Sequence, residues 1–228
     1  MIPPAHYERR RPVPSDTAAW SEAHLTLAVT EAASILIWAA IHPEADHAEQ
    51  VCVVWPFGGL PVVMVEADIP IPADRWEFRT SGLWAEQVCE TPHQHWSYGL
   101  EAFALELDDS AELTRTGYGT RVPLGWELDF EADGRPAWLL TDSAPLEIAG
   151  AYTQPGSLHG LLLDAAGEHS TEGAAQRWHW WGTKPLSNAG IGHSNDQPEH
   201  LQLPLSAGLY TLTRCTASLH LALMPALG

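Results

Sequence analysis

Cysteine is scarce in this chain, with Cys52, Cys89 and Cys215 as its three thiols. They are far apart and odd in number, and no CxxC pair occurs. Cys52 and Cys215 lie in apolar, strand-like runs, which fits buried reduced thiols. Nothing marks the electropositive setting that a catalytic cysteine needs. Basic residues are also few: 11 Lys and Arg stand against 29 Asp and Glu, for a net charge of -18. Three of the eleven, Arg9, Arg10 and Arg11, sit together in a Pro-rich tail. Such a surface repels polyanions, so nucleic acid and anionic membranes are poor partners, and the acidity serves solubility. No apolar run reaches the ~18 residues that span a bilayer, which excludes membrane insertion by a helix. The N-terminal MIPPAHYERRRPVP has charge but no apolar segment behind it, so it is not a signal peptide, and the expected location is cytoplasmic. GxGxxG, Walker, GxSxG and HExxH patterns are missing as well. Nucleotide cofactors and serine hydrolase chemistry are therefore not expected, and neither is any other cofactor.

What is present is apolar substance and tryptophan. The chain has 228 residues, 45% of them hydrophobic, enough for one large β domain or two small ones with a real core. Eleven Trp stand against four Phe and five Tyr. That excess suggests an aromatic-lined cavity as well as a core.

The sequence breaks into short β-branched runs separated by turn residues. Residues 24–29, 34–41, 50–55, 60–67, 83–90, 94–107 and 121–132 read as strands. The clearest is LGWELDFEA, where Leu124, Trp126, Leu128 and Phe130 alternate with Gly125, Glu127, Asp129 and Glu131. Period two with acids on one face predicts a strand covered on one side. A hairpin is expected at IAGAYTQPGSLHGLLLD, turning at Pro155-Gly156, and the chain closes on LYTLTRCTASLHLALM as a long strand or strand pair. Residues 108–120 and 183–200 read as long loops. Helix signals are few, so the fold class is all-β, an antiparallel sandwich or barrel. A soft boundary near 133–146 divides the chain into 15–140 and a smaller unit, 145–228.

Two Trp/His segments stand out. The first is TPHQHWSYGLEAF, with His95, Trp96, Tyr98, Glu101 and Phe103; the second is QRWHWWG, with Arg177, Trp178, His179, Trp180, Trp181 and Gly182. Both carry His-Trp followed by Gly, the pattern of a worn internal repeat. On a strand, Arg177, His179 and Trp181 share one face and Trp178 and Trp180 the other. Glu101 shares a face with Phe103, Leu105 and Leu107. Burial there would raise its pKa and make it a proton donor, with Arg177 as the natural partner of a buried acid. His159, beside Leu161 and Leu163, is a second acid–base candidate. His93-x-His95 has the spacing of a cupin-like metal pair, but no later ligand completes that pattern, so no metal is assigned.

The stretch Tyr152–Gly182, YTQPGSLHGLLLDAAGEHSTEGAAQRWHWWG, resembles the two-domain lipocalin-like proteins related to AttH and carotenoid 1,2-hydratase. The matching positions are Tyr152, Gln154, Gly156, His159, Gly160, Gln176, Arg177, His179 and Gly182. HWSYGLEAF and RVPLGWELDFE, the latter with Trp126, extend the likeness into the first half. The resemblance implies lipocalin-like barrels, the second of them reduced, around a cavity for an isoprenoid or polyketide-like molecule. It further implies cofactor-free cyclisation, isomerisation or hydration. The chain departs from the motif at Trp178, where these proteins carry an acid. Glu101, His179, Arg177 and His159 are then the candidate catalytic residues. His95, Trp96, Tyr98, Phe103, Trp126, Tyr152, Gln154, Trp178, Trp180 and Trp181 are the candidate substrate contacts. The alternatives are a non-catalytic isoprenoid or lipid carrier or sensor, and a cupin-like metal enzyme. Exposed barrel edges would also fit a homodimer.

Overall fold

A computed structural model describes residues 2–15, 19–108, 119–139, 149–186, 188–192, 197–215 and 217–224. The loop expected at 108–120 and the soft boundary at 133–146 fall largely outside them. The described residues are almost entirely strand, as the alternating and β-branched runs predict, and every strand pairing is antiparallel.

One sheet of eleven strands dominates. Its first four strands, β1 (Ser21–Thr30), β2 (Ala33–His42), β3 (His47–Pro56) and β4 (Val62–Ile69), form a meander. β5 (Trp76–Thr80), β6 (Leu83–Thr91), β7 (His95–Glu106) and β8 (Thr120–Ala132) form a second. The long hairpin of β10 (Gly150–Asp164) and β11 (Gly167–Gly182) joins them, β11 pairing with β1 and β10 with β8. The end of β7 then pairs with β4, Leu105 opposite Val63, and the sheet closes into a ring. The two-residue β9 (Ala137–Trp138) lies beside β10. The barrel interior is filled by Ile35, Ile37, Phe78, Trp96, Trp126, Phe130 and their neighbours, the inward alternates of each strand. Trp126, Leu128 and Phe130 point in, while Glu127 and Glu131 are exposed, as their period-two pattern predicts.

A second sheet of four strands comes from β12 (Asn188–Ile191), β13 (Glu199–Leu205), β14 (Gly208–Cys215) and β15 (Ser218–Leu223). Leu201, Leu203, Tyr210, Leu212 and Leu221 press against the outward alternates of β1, β2, β3 and β11, including Leu25, Trp38, Val53 and Trp180. Buried polar bonds fix the join. Glu49 accepts from Trp38 Nε1 (2.9 Å) and from the Ser206 amide (2.8 Å), and Arg214 donates to the Trp55 carbonyl (2.8 Å).

Three expectations are corrected. Strands on both sides of the 140–145 boundary belong to one sheet, and the sheets part only between Gly182 and Asn188. Pro155-Gly156 is not a turn: β10 runs through it and turns at Ala165 and Ala166. The proline sits between the stretch of β10 that pairs with β9 (Tyr152, Thr153) and the stretch that pairs with β8 (from Gly156), so its missing N–H breaks no ladder on that side. Gly156 is required by contact, since a Cβ there would lie 2.5 Å from the Phe130 ring and 2.3 Å from the Glu131 carbonyl oxygen. The His-Trp repeat does not hold either: Trp96 and His179 face into the barrel, while His95 and Trp180 face out.

Candidate functional site

The barrel interior turns polar at one end, and strand register explains why. On β1, Glu22, His24 and Thr26 are successive inward alternates. Opposite them on β11, His179 pairs with His24 and Arg177 with Thr26. On the other side of β11, Tyr152 pairs with His179 and Gln154 with Arg177. Three adjacent strands thus direct a row of polar side chains inward.

The N-terminal tail closes this end. A 3₁₀ turn, Ala5–Glu8, inserts Glu8, which is 2% exposed. Arg177 Nη2 donates to both Glu8 carboxylate oxygens at 2.8 Å. Trp96 Nε1 donates to the same carboxylate at 2.8 Å, and His93 Nδ1 lies 2.5 Å from it. Gln154 holds the His93 turn by donating to its carbonyl (2.7 Å) and to that of Gly134 (3.0 Å). Beside this group, His179 Nε2 is 2.8 Å from Glu22 Oε1 and its Nδ1 is 3.2 Å from the Tyr152 hydroxyl. The Arg11 amide donates to the second Glu22 oxygen at 2.9 Å. His24 stacks on His179 with ring centres 4.0 Å apart, and neither of its nitrogens has a hydrogen-bond partner. Tyr7, Trp20 and Trp181 cap the cluster with Tyr152.

Burial alone would raise the Glu8 carboxyl, but Arg177, the His93 bond and His179 outweigh it and hold the group well below the carboxylate range. Burial, reinforced by His179 and Arg177, holds His24 well below the usual imidazole value. Burial pushes the Tyr98 hydroxyl up to about 12 and Tyr152 well above its ordinary value. These four groups stay in one protonation state at neutral pH, which is the behaviour of an ion-paired plug and not of an acid–base relay.

Of the residues singled out from sequence, the barrel brings together Arg177, His179, Tyr152, Gln154, Trp96 and Tyr98, with Trp126 in the same interior. Six others lie outside, Trp178 and Trp180 among them. Glu101 and Phe103 are exposed on the outer face of β7, Phe103 at 56% with Arg121 over its ring. The apolar face that Glu101 was expected to share is the outer one. His95 bonds outward to Asp129 (2.7 Å), and His159 lies 3.7 Å from Glu131 on the outside. Nor do His93 and His95 form a ligand pair: His93 is a left-handed turn residue (φ 59°) that binds the tail. Sequence reasoning missed Glu8, Glu22 and His24, and it pairs His93 with His95 when its partners are Glu8 and the Pro3 carbonyl. Glu22 and His24 had a signal, since EAHLTL alternates polar and apolar residues from Glu22 to Leu27.

Trp178 and Trp180 point out of the barrel into a cleft of about 880 Å³ between it and the small sheet. Ala149, Ala151, Thr153 and Gln176 extend the barrel wall, and Leu186, Ala189 and Gly190 form the opposite one. Trp180 is braced edge-on by Trp38, with ring centres 4.9 Å apart. Lys184 is the one charged group among the described residues of the lining, which include no carboxylate and no histidine. A second cleft, of about 850 Å³, lies under the tail and is lined by Arg9, Arg10, Arg11 and Arg75 together with Glu8, Asp74 and Glu86. Comparison of the chain with protein-family models, curated proteins and solved structures finds no match in any of the three.

Proposed function

We propose that this protein binds a flat, apolar, unsaturated small molecule in the cleft between barrel and small sheet, as a carrier or sensor. One observation carries the reading: Trp178 and Trp180 line the barrel side of the cleft, and no carboxylate or histidine is found among its described lining residues. Its volume falls within the roughly 300–1,000 Å³ of small-molecule sites. The isoprenoid or polyketide-like class comes from the sequence resemblance alone, since Tyr152, Gln154, Arg177 and His179 lie inside the barrel and not in the cleft. Proton-transfer chemistry finds no support in this lining. Folding a substrate into a reactive conformer needs no titrating group, so a pericyclic activity is the catalytic form of the same reading.

The test uses N-phenyl-1-naphthylamine, a neutral apolar fluorophore. Saturable binding of one probe per chain is expected, with quenching of tryptophan emission. Ala149→Phe should narrow the cleft and weaken binding at least tenfold while leaving the melting temperature unchanged, and Trp178→Phe should reduce the quenching. Wild-type affinity in Ala149→Phe, with unchanged quenching in Trp178→Phe, would reject the cleft as the site.

A further inference from the structure

Nothing on the cleft side explains His24. It is a fully buried imidazole with two unpartnered nitrogens, set between Trp76 (ring centres 4.5 Å apart) and Trp96 (5.0 Å). A buried polar group without a partner destabilises the fold, and a leucine would avoid that cost. We infer that His24 is a metal ligand, and that Glu22, His24 and His179 form a site for a divalent first-row transition cation of the zinc type.

The placement follows from the sheet. Glu22 and His24 are alternate residues on one face of β1, and His179 is the direct cross-strand partner of His24 on β11. One ligand atom from each of the three lies within 4.8 Å of the others. Glu22 Oε1 and His179 Nε2 are 2.8 Å apart. Two donors on one tetrahedral zinc, each about 2.0 Å from it, are separated by roughly 3.3 Å. Replacing the hydrogen bond with a cation therefore needs an opening of well under an ångström at that edge. Two imidazoles and a carboxylate suit zinc or ferrous iron over calcium or magnesium.

The outer partners of a metal site are already in place. The second nitrogen of His179 is bonded to the Tyr152 hydroxyl, and the second oxygen of Glu22 accepts the Arg11 amide. Such bonds fix ring orientation and carboxylate angle in metal sites. The neighbouring Arg177 charge is neutralised by Glu8, so the cation would meet the Glu22 charge and not a net positive wall. The second cleft under the tail reaches Trp76 and Trp96, the two rings that flank His24.

The experiment is a titration of chelator-treated full-length protein with Co²⁺, followed by displacement with Zn²⁺. Binding of one Co²⁺ per chain with micromolar or tighter affinity is expected, together with visible absorption from imidazole and carboxylate coordination. His24→Leu should abolish both. The leucine removes an unpartnered polar group, so the metal-free variant should melt no lower than wild type. Zn²⁺ should raise the melting temperature of wild type and not of His24→Leu. Tyr152→Phe should weaken binding ten- to a hundredfold. Absence of stoichiometric Co²⁺ would overturn the site. Retention of Co²⁺ by His24→Leu would assign it to surface histidines and overturn the site equally.

Discussion

Removing the Glu8 carboxylate leaves the Arg177 guanidinium charged, 1% exposed and without its counter-ion. Glu8→Ala is therefore expected to lower stability by about 3–5 kcal/mol in urea unfolding. Adding Arg177→Met should recover part of that loss, because an apolar side chain leaves no charge to solvate. A double variant whose loss equals the sum of the single losses would show that the two residues do not act as a pair. Nothing in the sequence announced this pair, since its members are 169 residues apart and Glu8 sits in a tail without periodicity. The faces of QRWHWWG, by contrast, were legible. Strand alternation alone separates Arg177 and His179 from Trp178 and Trp180, and the structure keeps that separation. Alternation does not say which face is inside. On β7 both faces carry apolar residues, Trp96, Tyr98 and Leu100 against Phe103 and Leu105, so alternation does not reveal that the Glu101 face is the outer one.

The small sheet is held to the barrel by apolar contact, by Arg214 and by one buried acid. Burial alone would raise the Glu49 carboxyl, but its bonds from His42 and from the Ser206 amide and hydroxyl outweigh that and lower it. A carboxylate depressed in the folded state stabilises fully above its unfolded value. That contribution is lost as pH falls from about 4.5 toward the folded value. The attachment of β13–β15 should thus weaken in acid. The melting temperature is expected to fall less steeply below pH 4.5 in Glu49→Gln than in wild type, from a lower start. Identical slopes would mean that Glu49 is not the titrating tie. At this scale the strands themselves were readable, from LGWELDFEA to the C-terminal pair. The Pro155-Gly156 turn was misread because turn residues are local signals. Their actual roles, a harmless missing N–H and room for the Phe130 ring, depend on β8 and β9, which pair from elsewhere in the chain.

Across the whole molecule, the ring is completed by joining β1 to β11 and β4 to β7. An all-β class and barrel-like closure follow from many short alternating strands. A boundary near residue 140 does not, because a sheet can recruit strands from either side of a composition break. Among the described residues no helix is long and apolar enough to cross a membrane. The tail belongs to the ring as much as any strand does. Deleting residues 1–11 removes Glu8, Tyr7 and the Arg11 amide bond to Glu22, and should lower the urea midpoint at least as far as Glu8→Ala. An unchanged midpoint would make the tail an accessory. Its tie to Arg177 also bears on how the chain is made. Emerging from the ribosome N-terminus first, Glu8 must wait 169 residues for Arg177, and β1 must wait for β11 with one edge unpaired meanwhile. Seam closure and the last buried ion pair then arrive together, when β11 is released. Any delay there leaves an acidic, half-zipped sheet whose strong net negative charge is its main protection against pairing with a neighbour.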